Sequence, residues 1–194
     1  MSYAMEQGPR TLRITVDEFV RMAQVGQLAS DARVELIEGV IVDMAAIGTV
    51  HERDVDFICA RFIRAVRDEA IVRTQGSVQL SDDTLPQPDI ALLKFRADGY
   101  MHKRPGPSDI LLVVEVADSS ADADFGRKLT LYARYGVPEV WVLNVQTRTL
   151  HFFRSRTDVG YREEDSTTRP GVLALPSLGL SVDLSGLFPT STSE

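Results

Sequence analysis

The chain has a single cysteine, Cys59, and that scarcity removes two kinds of architecture at once. No intramolecular disulfide can form, and a cysteine-based zinc site lacks its ligands. Both facts fit a reducing cytoplasm, which is the expected location. Long apolar runs are missing too. No stretch approaches the roughly 20 residues of a membrane span, and the opening MSYAMEQGPR has no apolar signal-peptide core, so no membrane partner is expected. Positive charge is also short: Lys and Arg total 21 against 28 Asp and Glu, a net charge of −7. Proteins that hold nucleic acid without regard to sequence usually carry a basic surface, so any such role must rest on a local patch. The candidates are Arg61, Arg64, Arg67 and Arg73, and the loop MHKRPG with His102, Lys103 and Arg104. Clusters of this kind are more often simply solvated faces.

What is present is ordinary globular material: 194 residues, 44% hydrophobic and 25% charged, enough for one domain with a real core. Without repeats, low-complexity segments or linkers, the expected organisation is a single domain over residues 1–194, with flexible ends at about 1–12 and 189–194. Apolar residues at helical spacing in ITVDEFVRMAQ, with Thr15 as cap, predict an N-terminal helix. RVELIEGVIVDM predicts a hairpin turning at Glu38-Gly39. GTVHERDVDFICARFIRAVRDE predicts a long helix with the stripe His51, Val55, Ile58, Phe62 and Val66, and with Thr49 and Glu52 at capping-box spacing. Three strands follow, IVRTQGSVQL, PDIALLKF and DILLVVEV. A further helix over about Asp122–Tyr135 is ended by Gly136 and Pro138. EVWVLN and TLHFFR add two strands around the turn VQTR, and the tail from Gly160 reads as short apolar pieces between Pro and Gly. The fold class is α/β: a mixed β-sheet flanked by helices, with an N-terminal helix and hairpin.

Glu115 stands inside LLVVEVADSS, residues 111–120, a run that reads as a strand buried on both faces. Burying a carboxylate costs several kcal/mol, or forces it to take up a proton, unless something compensates it. Asp89 is also oddly placed, opening a strand directly after Pro88. If the two strands are neighbours, the carboxylates converge, and such a pair resists double ionisation unless a cation is present. Hard divalent ions such as Mg²⁺ take oxygen ligands from one or two carboxylates, completed by water and phosphate. The pair therefore suggests a metal site for phosphoryl chemistry; the plainer alternative is a buried carboxyl satisfied by backbone or arginine.

Lys128 flanks the inward stripe Phe125, Leu129 and Tyr132, yet Asp124 four residues earlier gives it the spacing of a surface ion pair. Glu35 shares a face with Ile37, Val40 and Val42, so it is a carboxylate on an apolar face, whereas Glu38 at the turn is expected to be solvated. His51 lies on the inward stripe in a first helical turn, where a core histidine and a catalytic one look alike.

Taken in order, RVELIEGVIVDM, GTVHERDV, PQPDIALL, LLVVEVADSS, DFGRKLTLYARYGVPEVWVLN and GYREEDSTTRPGVLALPSLGLSV resemble the Uma-type restriction-endonuclease family, bacterial proteins with the PD-(D/E)XK nuclease-like fold. The resemblance runs from about Val16 to Phe188 and is most specific in VEVADSS and KLTLYARYGVPEVWVLN. It implies a restriction-endonuclease-like sheet, with Asp89 at the PD position and Glu115 at the acidic position of (D/E)XK, both as metal ligands. The lysine usual two residues after that acid is replaced by Ala117. Relatives that share this gap carry a lysine on the following helix, which matches Lys128. Glu35 and His51 also match family positions. The implied function is a Mg²⁺-dependent DNA endonuclease hydrolysing phosphodiester bonds, with Mn²⁺ able to substitute. Lys128 would stabilise the attacking water or the developing negative charge, and Glu35 would orient a second water at the metal.

Two rivals stand beside it. One is a catalytically inactive scaffold of the same fold, serving as a binding or assembly module; the acidic charge and the missing in-strand lysine favour it. The other is a metal-dependent phosphoesterase acting on nucleotides or RNA. A homodimer is expected, because cutting both strands of a symmetric site takes two active sites and the chain carries one motif. The apolar pieces GVLALPSLGL, LSGLF and TLHFFR are either its interface or a cover for the sheet.

Overall fold

The computed structural model of the chain describes residues 12–29, 31–117 and 122–188, with backbone alone for 122–125. The expected flexible ends fall outside these residues except for Leu12. Thr15 caps α1 (Val16–Gln24): its Oγ1 accepts from the Glu18 N–H, and the Glu18 carboxylate accepts from the Thr15 N–H. That helix packs Val16, Phe19 and Val20 on Leu36 and Leu85. The hairpin forms as β1 (Val34–Ile37) and β2 (Val40–Asp43), closed by Glu38 and Gly39 at φ of 49° and 78°. Positive φ at both central residues matches the twist of the flanking strands. Gly39 is further required because a Cβ there would lie 2.4 Å from the Arg13 Cβ.

The long helix is α2 (Thr49–Val66), and it buries Val55, Ile58, Phe62 and Val66 as its spacing predicts. The expected Thr49–Glu52 capping box is absent. Gly48 is the cap, no side chain caps the helix, and the Glu52 N–H is taken by the Gly48 carbonyl. Six strands then build the main sheet: β3 (Ala70–Thr74), β4 (Ile90–Lys94), β5 (Ile110–Ala117), β6 (Val140–Asn144), β7 (Thr149–Thr157) and β8 (Gly160–Thr167), side by side in that order. All neighbours are antiparallel except β5 and β6, which run parallel and are bridged by α3 (Asp122–Arg134), the crossover a parallel pair requires. Every residue of β5 except Ala117 is buried.

One face of the sheet carries Leu112, Val114, Val116, Trp141 and Leu143 against α2 and the small sheet of β9 (Val172–Leu175) and β10 (Leu180–Asp183). The other carries Ala91, Leu93, Val113, Val140 and Val142 against Leu131 and Tyr132 of α3 and Ile37 of the hairpin. The mixed sheet with helices on either side, the N-terminal helix and the hairpin are therefore all present.

Strand β8 departs from the sequence expectation. GYREEDST offers no apolar period, and Arg162, Glu163, Glu164 and Asp165 are exposed, so its strand rests on backbone pairing to β7, with Tyr161 packed against Phe153. The apolar tail covers the sheet: Leu175, Val182, Leu184 and Leu187 are buried in its core, and so are Leu150, Phe152 and Phe153 of β7. Among the described residues no helix is long and apolar enough to cross a membrane.

Candidate active site

Pro88 has no N–H to give to a ladder, and β4 begins two residues later at Ile90. Ile90 pairs with Val114, so the same register sets Asp89 across from Glu115, with both side chains on the face that α3 covers. Asp89 is fixed from two sides. Its Oδ2 accepts from the Val116 N–H at 2.8 Å, and its Oδ1 lies 2.9 Å from His51 Nε2. His51 reaches it from the first turn of α2. The hydrogen bond to Asp89 raises the His51 pKa; burial opposes the rise, and the Asp89 charge adds to it. Because a carboxylate oxygen only accepts, the contact forms when Nε2 carries a proton.

Glu115 is 8% exposed. Its Oε1 accepts from the Tyr132 hydroxyl at 2.6 Å and lies 3.5 Å from Lys128 Nζ. Burial pushes its carboxyl up to about 7; the Lys128 charge pulls it down, and the nearby Asp89 and Glu35 charges push the same way as burial. Lys128 Nζ is also 3.1 Å from Glu35 Oε1, so one ammonium bridges two buried carboxylates. Burial works against its charge, but Glu115 and Glu35 together outweigh that and raise its pKa. Glu35, 3% exposed on β1, accepts through its other oxygen from the Gln87 N–H at 3.2 Å. Burial, and then the Glu115 charge, hold the Tyr132 hydroxyl far above its usual pKa, so it stays a donor.

All five residues singled out in the sequence thus meet at one end of the sheet: Asp89 and Glu115 on adjacent strands, Lys128 on the covering helix, Glu35 on the hairpin, His51 on α2. Lys128 points inward rather than lying on the helix surface; the side chain of Asp124, its expected partner, is outside the described residues. Glu38 is not fully solvated either. Its Oε1 accepts from Arg134 Nη1 at 2.5 Å and its N–H donates to Thr84 Oγ1, which pins the hairpin tip to the end of α3. Tyr132 joins the site although its helical stripe marks it only as a core residue. It sits four residues after Lys128, so any helix face that shows Lys128 to Glu115 shows Tyr132 as well.

Among the described residues no three His, Cys, Asp or Glu side chains converge as a ready-made metal cage. Two opposed carboxylates nevertheless suit a hard ion such as Mg²⁺, which is commonly bound through one or two carboxylates with water and phosphate completing its shell.

The family model for Uma2, described as "Putative restriction endonuclease", matches residues 16–185. The chain belongs to this family. Among solved structures, the Uma2 chain is similar to "a putative nuclease belonging to DUF820" from Anabaena variabilis, at a TM-score of 0.65 and 15% identity, over 86% of this chain and 91% of that one. At that identity the likeness is one of fold. No curated protein matches the chain.

Proposed function

We propose that this Uma2 protein is a divalent-metal-dependent endonuclease that hydrolyses phosphodiester bonds in DNA. The observation that carries the reading is the facing pair Asp89 and Glu115 with Lys128 against Glu115. Asp89 and Glu115 would hold Mg²⁺ or Mn²⁺, which when bound supplies positive charge to polarise a phosphoryl oxygen and acidify a water. The chain's own residues supply the rest. His51 and the Val116 N–H hold the Asp89 carboxylate in one orientation, and the Tyr132 hydroxyl does the same for Glu115. The Lys128 ammonium, kept charged by Glu115 and Glu35, stabilises the negative charge that develops on the phosphate.

The inactive-scaffold reading has one observation on its side: both Asp89 oxygens already have partners within the chain. Incubating supercoiled plasmid DNA with the protein and Mg²⁺ or Mn²⁺ separates the two. The nuclease reading expects nicking by wild type and a loss of about 100-fold or more in Lys128→Met, with none left in Asp89→Asn or Glu115→Gln. Intact plasmid under every metal condition supports the scaffold.

A further inference from the structure

Asp89 immediately precedes β4 and Lys94 ends it. At a rise of about 3.4 Å per residue, one strand therefore links the carboxylates to a second surface about 17 Å away. That surface is basic on an acidic molecule. Residues 94–104, KFRADGYMHKR, hold Lys94, Arg96, Lys103 and Arg104 against one acid, Asp98, while the whole chain carries −7. Arg73 of β3, paired with Ala91 and so nearer Asp89, extends the group toward the carboxylates. The Arg73 and Arg96 guanidinium carbons lie 5.6 and 5.0 Å from the centroid of the Tyr100 ring. Tyr100 packs in the cluster of Ala91, Leu93 and Val113, on the same sheet face as Asp89 and Glu115.

The surface is held in place. Asp98 accepts from Arg96 Nε at 2.8 Å and Nη2 at 2.7 Å, and the Tyr100 hydroxyl donates to the Lys94 carbonyl at 2.8 Å. Arg73 donates through Nη1 to the Ser77 carbonyl at 3.3 Å, and its stem crosses Gly76 so closely that a Cβ there would lie 2.6 Å from Arg73 Cδ. Lys94, Lys103 and Arg104 are exposed. Among the described residues no carboxylate forms an ion pair with any of these three or with Arg73. Arginines fixed over an aromatic ring, with lysines around them, suit phosphate oxygens. The other basic group, Arg61 and Arg64 on α2 and Arg67 just past its end, lies toward the opposite sheet face, and Arg61 is engaged by the Ser185 carbonyl and Asp183.

We propose that Arg73, Lys94, Arg96, Lys103 and Arg104 bind the phosphate backbone of DNA on one side of the bond that faces Asp89 and Glu115. This rests on the nuclease reading above. Lys94, about 17 Å from Asp89 along the strand, would sit about five base pairs along a duplex, with Arg73 nearer the carboxylates at the level of Ala91, so the patch would fix position and affinity without reading sequence.

The test is binding of a fluorescent 20-base-pair duplex, in EDTA, across a salt series. It compares wild type with the triple variant Arg96→Gln, Lys103→Gln, Arg104→Gln and with a control triple, Arg64→Gln, Arg162→Gln, Arg169→Gln, which removes equal charge elsewhere. The patch variant should bind at least about tenfold more weakly, and its slope of log K against log salt should fall by about 0.9 for each phosphate it no longer neutralises. The control should stay near wild type. Equal behaviour of patch variant and wild type, or equal weakening in the control, overturns the assignment while leaving the nuclease reading intact. A wild type that neither binds nor cuts DNA overturns both.

Discussion

At the scale of single residues, Lys128 and Glu115 decide the site's energetics. Lys128 is the ammonium against both Glu35 and Glu115, whose carboxylates are almost wholly buried. Removing it leaves them uncompensated, and breaking a buried pair from one side typically costs about 3–5 kcal/mol. Lys128→Met should therefore unfold at lower denaturant concentration than wild type at pH near 8 without metal, and an unchanged midpoint would return Lys128 to a surface role. Glu115 gives the opposite result. Its folded value of about 7 lies above the ordinary 4.5, so the native state holds this proton more tightly than the unfolded chain. The stability that follows is complete below about pH 4.5 and is lost as the pH rises to about 7. Glu115→Gln should flatten the metal-free stability profile across that window and be the more stable protein above it, because Lys128 keeps Glu35 as partner. Denaturant titrations at several pH values read both effects; parallel profiles would contradict the burial argument.

At the scale of elements, the start of α2 is tied to the chain's last described residues. Asp54, fully buried, accepts from Arg53 Nη1 at 2.6 Å and Arg148 Nη1 at 2.8 Å. Arg148 Nη2 in turn reaches the Leu187 carbonyl at 3.0 Å, and Arg53 Nη2 the Gly186 carbonyl at 3.2 Å. Asp54→Asn should destabilise by about 2 kcal/mol, less than the usual cost of breaking a buried pair because both arginines keep some solvent. It should also speed limited proteolysis beyond Asp183. Cleavage at the wild-type rate would show that the tail is held by its apolar packing alone. None of this latch was legible in the sequence, where Asp54 and Arg148 are ninety-four positions apart. The elements themselves were more legible, since Thr15 and the Glu38-Gly39 turn carry their signals locally. β8 was not, because an edge strand of charged residues has no apolar period. For the site, the continuous apolar run of β5 marked Glu115 as anomalous, but only the pairing of β4 with β5 sets Asp89 across from it. Tyr132 stayed hidden because a buried tyrosine and a core phenylalanine look the same in a helical stripe.

At the scale of the molecule, the apolar pieces that argued for a stable dimer lie inside the chain, covering the sheet. The exposed edge strand β8 is charged, which discourages pairing with a second copy. If the proposed nuclease cuts both strands it needs two sites, so a dimer would assemble on the substrate. Sedimentation equilibrium at micromolar concentration should give the 21.5 kDa chain mass for the free protein and twice that per two-fold symmetric duplex. A dimer mass without DNA would contradict this.

Calorimetric titration of Mn²⁺ into the protein at pH near 8 asks whether Asp89 and Glu115 form one divalent-ion site. Wild type should show saturable binding that weakens as the pH falls through about 7, where Glu115 takes up its proton. At 100 times the Kd, Mn²⁺ should stabilise the fold by about 2.7 kcal/mol, and Asp89→Asn and Glu115→Gln should each lose the binding heat. Heats in both variants equal to those of wild type, or no saturable binding by wild type, would contradict such a site.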